Sequence, residues 1–411
     1  MKSVLMVAFH FPPVQGSSGV QRTLRFARHL PEFGWQPVVL TAHPRAYEST
    51  SDDQVGEIPS SVAVIRAQAW DAARHFTVRG RYLAMTARPD RWISWWLGGV
   101  PAGLAAIRRH RPSVLWSTYP IATAHCIGAT LQARSGLPWI ADFRDPMAQD
   151  GYPEDAATWR SFERIERRSV TRATTSTFTT PGALREYRAR YPERASRMAL
   201  LENGYDEETF ASARPGPALN PGRLTLLHSG IVYPDERDPR SLFAALRAMK
   251  DADPAAFVRL RVRFRAPVHG DLLSGLARQH GIEEAIEVLP PVGYREALSE
   301  MLSADGLLVL QAANCNAQVP AKLYEYLRAR RPILAFTDPA GDTAAVARAA
   351  GISAIAPLDA AEDIGRLLLR FVAAPAEGTL PRDAAVAEAS RHHRARQLAA
   401  MLDDADAGAR R

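Results

Sequence analysis

Gln318–Phe336 reads Q-V-P-A-K-L-Y-E-Y-L-R-A-R-R-P-I-L-A-F, and this stretch decides the fold. Pro320 suits the first turn of a helix, where its missing N–H costs nothing and its fixed φ is already helical. Ala321 to Leu327 carry apolar positions at helical spacing, which predicts a helix. That helix must stop near Arg330, because Pro332 disfavours helical geometry in the residue before it. Pro332 to Phe336 then reads as a short buried strand. A loop feeding a helix offers free backbone N–H groups and a positive dipole end, where phosphates bind. Lys322 and Glu325 stand one turn apart, a cation for phosphate beside an acceptor for hydroxyls. The alternative is a surface i,i+3 ion pair on an ordinary helix.

Working outward, short apolar runs alternate with amphipathic helices along the whole chain. Strands are predicted at Val4–Ala8, Gln36–Thr41, Ser61–Arg66, Ser113–Trp116 and Pro138–Asp142, with helices at Gln21–Leu30, Pro101–Arg109 and Ala122–Arg134 between them. The pattern restarts with strands at Leu224–His228, Val258–Phe264, Ile286–Leu289 and Gly306–Gln311, and helices at Pro239–Met249, Asp271–His280 and Tyr294–Met301. Strands alternating with helices imply parallel βαβ units. Ala213–Gly222, A-R-P-G-P-A-L-N-P-G, is dense in proline and glycine and marks a linker or exposed connection. The expected fold class is therefore α/β, with two doubly wound Rossmann-like domains facing across a cleft. Asp383–Leu402 is read as one helix, with a frayed tail after it.

A chain of 411 residues is about twice a typical domain. The hydrophobic share of 46% and charged share of 23% are those of a globular protein, and no apolar run approaches a membrane span. The start, M-K-S-V-L-M-V-A-F-H, is read as a buried strand rather than a leader. Two cysteines, Cys126 and Cys315, fit a reducing compartment and form no metal cluster, which points to a cytoplasmic location. A net charge of +7 favours anionic partners, nucleotides or phospholipid surfaces, and no motif supports nucleic acid. R-W-I-S-W-W (Arg91–Trp96) sets tryptophans beside arginine, which suits peripheral contact with an anionic membrane; the alternative is aromatic packing under a helix.

In open parallel sheets ligands bind at the carboxyl ends of strands, so those loops carry the candidate chemistry. After the first strand comes H-F-P-P-V-Q-G-S-S-G-V-Q-R (His10–Arg22), where Gly16 and Gly19 allow close backbone approach to a diphosphate or acceptor. It is not G-x-G-x-x-G, which argues against a dinucleotide dehydrogenase. W-S-T-Y-P (Trp116–Pro120) and A-D-F-R-D-P (Ala141–Pro146) end later strands. Asp142 and Asp145 are candidates to take a proton from a hydroxyl-rich substrate, with Arg144 orienting them; the alternative is an Asp–Arg brace. His10 and Tyr119 are acceptor-side candidates. In the second half, H-S-G-I-V-Y-P-D-E-R-D-P places Gly230 for close approach and Arg237 for a phosphate, unless Arg237 pairs with Asp235 or Asp238. Pro290 and Val292 in V-L-P-P-V-G-Y offer apolar walls for a base, and Pro320, Lys322, Leu323 and Glu325 complete the nucleotide-binding set.

The ordered set H-F-P-P…G-S-S-G-V-Q-R, A-D-F-R-D-P, L-E-N-G-Y-D (Leu201–Asp206), H-S-G…R-D-P and P-A-K-L-Y-E-Y-L…R-P-I-L resembles the family 4-like glycosyltransferases of GT-B fold. The resemblance implies metal-independent, retaining transfer of a sugar from a nucleotide-sugar, with no cofactor beyond that co-substrate. The acceptor is a glycan, a lipid-linked glycan or a metabolite. It implies an acceptor domain over 1–204, a donor domain over 205–382, and a last helix, about 383–402, packed back on the first domain. Glu325 matches the second glutamate of the family's Glu-x7-Glu signature, which contacts the ribose; the first falls at Ala317. Arg237 falls near a diphosphate-binding lysine and Gly16 near a glycine lining the diphosphate. The usual arginine falls near Ile231, where Lys322 can compensate, and the family's acceptor-side histidine has no match in W-S-T-Y-P. Two other readings remain at this point: a nucleotide-sugar 2-epimerase on the same fold, and a non-catalytic GT-B subunit that binds a partner or glycan.

Overall fold

The computed structural model describes residues 1–15, 19–77 and 87–409. Two compact units divide the chain, Met1–Asn203 with Arg391–Arg411, and Gly204–Ser390. In the first, seven strands form one parallel sheet in the order β3-β2-β1-β4-β5-β6-β7. They are β1 (Lys2–Val7), β2 (Trp35–Ala42), β3 (Ala63–Ala67), β4 (Val114–Thr118), β5 (Trp139–Arg144), β6 (Thr175–Phe178) and β7 (Met198–Leu200). The second unit has the parallel order β10-β9-β8-β11-β12-β13. Its strands are β8 (Leu224–Ser229), β9 (Leu260–Arg265), β10 (Ile286–Leu289), β11 (Gly306–Gln311), β12 (Ile333–Thr337) and β13 (Ile355–Ala356).

Parallel strands covered on both faces read as apolar runs, and the central strands β1, β4, β8, β11 and β12 do. Along β1, Leu5 and Val7 pack into one core cluster and Val4 and Met6 into another, on opposite faces of the sheet. The second cluster is closed by Ala395, Leu398, Ala399, Leu402 and Ala405 of the helix Arg391–Ala409. The end of the chain thus completes the core of the unit that its beginning starts. The predicted helix over 383–402 is two helices, Asp383–Glu388 in the second unit and Arg391–Ala409 in the first, and the tail expected to fray is helical to Ala409. The proline-rich stretch 213–222 lies within the second unit, and the break falls after Asn203. Residues 254–259, where the strand Val258–Phe264 was predicted to begin, form a helix capped by Asp253, so β9 starts at Leu260.

One buried ion pair ties the first unit together. Arg22, on the helix Gly19–His29, donates Nε–H and Nη2–H to the two oxygens of Asp142 at 2.9 and 2.7 Å. Thr118 of β4 and Thr177 of β6 donate their hydroxyls to the same carboxylate at 2.7 and 2.8 Å. Arg22 spends its remaining N–H groups on the carbonyls of Leu201 and Glu202 and on Asn203 Oδ1. Asp142 is fully buried. Burial alone would raise its carboxyl, but the Arg22 charge and these hydrogen bonds outweigh that and hold it below the ordinary value of 3.8. Its lone pairs are filled and no substrate reaches it, so Asp142 leaves the catalytic set: it is a brace.

The tryptophan run is also mostly core. Trp95 is fully buried, and Trp92 packs on Phe9 at 4.7 Å while donating its Nε1–H to the Ala46 carbonyl. Only Trp96 and Leu97 remain exposed, so aromatic packing under a helix, not an interface belt, accounts for the cluster. Among the described residues no helix is long and apolar enough to cross a membrane.

Arg22→Ala is expected to cost about 3–5 kcal/mol in urea unfolding, because it leaves the Asp142 charge buried and unpaired. Asp142's carboxyl is depressed in the folded protein, so its contribution is complete above pH 3.8 and lost on acidification through the folded-state value. A loss below 1 kcal/mol in Arg22→Ala would remove the brace.

Candidate functional site

In the second unit the sheet order reverses direction between β8 and β11, and Gly230, Arg237, Lys322 and Glu325, predicted for nucleotide binding, follow their carboxyl ends. β8 ends at Ser229 and the chain turns at Gly230 with φ +112, a geometry that side chains disfavour. A Cβ there would lie 3.2 Å from Lys322 Nζ. Lys322 stands in the first turn of the helix Ala321–Ala329, and Pro320 serves as its N-cap rather than as the predicted first helical residue. The helix ends at Arg330 in left-handed geometry, just before the residue that Pro332 keeps out of helical geometry.

Lys322 Nζ lies 3.1 Å from His228 Nε2, while His228 Nδ1 faces the Leu308 carbonyl at 3.0 Å. The carbonyl fixes the tautomer with hydrogen on Nδ1, so the ammonium donates to a neutral imidazole. Burial, reinforced by Lys322, pushes His228 well below its ordinary pKa. Burial and the nearby Arg237 bring Lys322 down to about 7, with Glu325 pulling the other way. Arg237 donates Nη1–H to the Ile231 carbonyl at 2.6 Å and stacks over Tyr233 at 5.0 Å. It pairs with neither Asp235 nor Asp238, and its buried Nε has no hydrogen-bond partner among the described residues. Glu325 accepts from the Tyr294 hydroxyl at 2.7 Å.

Two cations and a helix amino end converge beside Gly230, and their mutual repulsion is what an anion would relieve. A recess of about 460 Å³ elsewhere in this unit is rimmed by Asp235, Asp238, Asp338 and Asp359. Its four carboxylates repel a diphosphate, so Lys322 and Arg237, not that recess, mark the anion position. Leu323 is a correction: it is fully buried in the core, and its N–H is spent on the Pro320 carbonyl. Pro290 is exposed at the end of β10 with its carbonyl held by Arg265 at 2.8 Å, and Val292 is half-buried in the same loop. His228 was not among the predicted residues; the H-S-G at the end of an apolar run was the signal for it.

In the first unit the sheet order reverses between β1 and β4. His10 follows β1, Tyr119 follows β4, Arg144 ends β5 and Asp145 follows it, so all four stand at carboxyl ends around that reversal. Gly16 lies outside the described residues, and Gly19 is the buried first residue of the helix Gly19–His29. The β5–β6 register shifts between Asp142 and Arg144, and Arg144 adopts φ +63, a strained geometry for a long side chain. Its Nη1–H points to the Tyr119 carbonyl at 3.4 Å and its buried Nε finds no partner among the described residues. Burial, then Arg144, lowers His10 to about 4, so its imidazole is neutral at pH 7. The carboxyl of the exposed Asp145 is raised by the protein crowded around it, against the pull of Arg144. Tyr119 is buried, its ring edge-on to Phe162 at 6.3 Å, and burial raises its hydroxyl pKa. Its ring belongs to the core of the first unit.

Residues 18–204, all but the last within the first unit, match the family described as glycosyl transferase 4-like domain. By sequence, no curated protein matches the chain. Among solved structures, α,α-trehalose 6-phosphate synthase from Burkholderia multivorans aligns with a TM-score of 0.64 at 12% identity, over 100% of this chain and 98% of that one. HepE from Anabaena, crystallised with UDP and glucose, aligns at 0.63 and 12%, over 98% and 100%. Sucrose-phosphate synthase from Thermosynechococcus elongatus aligns at 0.59 and 12%, over 99% and 97%. The fold is GT-B.

A strained residue kept for function should not be missed by the fold. Arg144→Gly is expected to unfold at the same urea concentration as the wild type or higher, by up to about 1 kcal/mol. A loss above 1 kcal/mol would make Arg144 a brace like Asp142.

Proposed function

We propose that the protein transfers a sugar from a nucleotide-sugar to an acceptor hydroxyl, with retention and without a metal ion. The observation that carries this reading is Lys322 and Arg237 gathered at Gly230 and the amino end of the helix Ala321–Ala329. As the glycosidic bond breaks, negative charge builds on the departing nucleoside diphosphate. Lys322, Arg237 and the helix amino end stabilise it there, which is the task a divalent cation performs in other transferases. Glu325 takes the ribose hydroxyls, and the loop with Pro290 and Val292 takes the base. UDP is the nucleotide chosen first, because HepE was crystallised with UDP and glucose. The acceptor, a glycan, lipid-linked glycan or metabolite, is assigned to the first unit, where Asp145 and the neutral His10 receive its hydroxyl and Arg144 orients it. Free Cys126 and Cys315 support a cytoplasmic setting.

UDP-glucose is a suitable probe because its diphosphate does not titrate near pH 7. Calorimetry is expected to give affinity that is steady below about pH 7 and falls by up to about tenfold per pH unit above it, since binding must reprotonate Lys322. Lys322→Met should bind at least about tenfold more weakly and lose this slope. No binding of UDP-glucose or of any other nucleoside diphosphate or its sugar, at any pH, would favour a non-catalytic subunit.

Asp145→Asn is expected to lower the rate of sugar transfer by about a hundredfold or more while leaving UDP-glucose affinity unchanged. Product released without any acceptor, as a donor epimerised at C2, would contradict transfer and support the epimerase.

A further inference from the structure

The end of the helix Gly19–His29, the turn after it and the first turn of the helix Arg391–Ala409 bring together three side chains that the chemistry above leaves unused. His29 Nδ1 lies 2.8 Å from Glu32 Oε1, and His392 Nε2 lies 3.0 Å from Glu32 Oε2, across 360 residues of sequence. The three donor atoms all lie within 4.8 Å of one another. We propose that His29, Glu32 and His392 bind one divalent transition-metal ion, best suited to zinc, which staples the last helix of the chain to the first.

Zinc bonds imidazole nitrogen and carboxylate oxygen at about 2.0–2.2 Å, so donors around one ion stand at most about 4 Å apart. Small side-chain rotations bring this triad to that spacing. Two imidazoles and one carboxylate select zinc and its first-row neighbours; magnesium and calcium require mainly oxygen ligands, which are not offered here. The rings are already placed for the task. His392 stands edge-on to His29 at 5.1 Å and against Phe33 at 5.1 Å, and Arg396 lies over the Phe33 ring at 5.6 Å. Carbonyls at the end of the helix Gly19–His29 add partial negative charge on the His29 side. Arg28 and Arg391, next to the ligands in sequence, oppose a cation, so the imidazole bonds rather than bulk charge must supply the affinity.

His392 and Glu32 are accessible enough to replace without opening the core, their side chains being 39% and 53% exposed. The test uses the full chain without an affinity tag, stripped of metal by a chelator and then dialysed. Zinc is expected to bind one ion per chain and raise the thermal midpoint, and cobalt(II) should give visible absorption of low-symmetry coordination. Magnesium should do neither. His392→Gln and Glu32→Gln are each expected to keep the metal-free midpoint and to weaken zinc binding at least about tenfold. The chain has 11 histidines, so adventitious binding is a real outcome. A zinc-induced shift that survives in both variants assigns the ion elsewhere and overturns the proposal, as does the absence of any shift in the wild type.

Discussion

The buried pair between Arg22 and Asp142 is the constraint on which the first unit turns. A carboxylate without exposure costs several kcal/mol in desolvation, and it persists only if its oxygens are filled. Filling them brings the first helix, β4 and β6 to one point on β5, and Arg22's remaining donors fix residues 201–202, just before the chain leaves the unit. The loops at the carboxyl ends of β1, β4 and β5 are thereby held without spending their own side chains. His10, Arg144 and Asp145 can remain strained, shifted or exposed because the brace beneath them is complete.

The second unit solves the opposite problem. There a cation is held close to neutrality, because burial and Arg237 outweigh the help from Glu325. His228 sets the geometry: its Nδ1–H is committed to the Leu308 carbonyl, so Nε2 can only accept, and it accepts from Lys322. The cation is preorganised and undercompensated at once. Such a site gains most from the ligand that supplies the missing negative charge, and in the transfer proposed above that is where charge would develop.

Much of this was legible in the chain, and the reasons differ by residue. Buried parallel strands announce themselves as apolar runs, so β1, β2, β4, β8, β11 and β12 were readable. β6, T-S-T-F, is short and hydroxyl-rich, and β13 has two residues, so neither carries a period. Pro332 ended its helix where expected. In the motif A-D-F-R-D-P the first aspartate is a brace. Which of two carboxylates faces solvent depends on a register shift in β5 and on an arginine 120 residues earlier, and no local spacing encodes either. Leu323 was named with Lys322 in the nucleotide-binding set, but adjacent helix positions face different directions and Leu323 faces the core. His228 was missed for the converse reason: it acts only through a lysine 94 residues away.

The chain has three lysines, Lys2, Lys250 and Lys322, which makes the central claim directly measurable. Side-chain NMR of the lysine Cε and Nζ nuclei, titrated with and without UDP-glucose, resolves each amine. The account predicts one amine, absent in Lys322→Met, that titrates near 7 in the free protein and moves upward when UDP-glucose is present. An amine of Lys322 that titrates at its ordinary 10.5 and ignores UDP-glucose would contradict it.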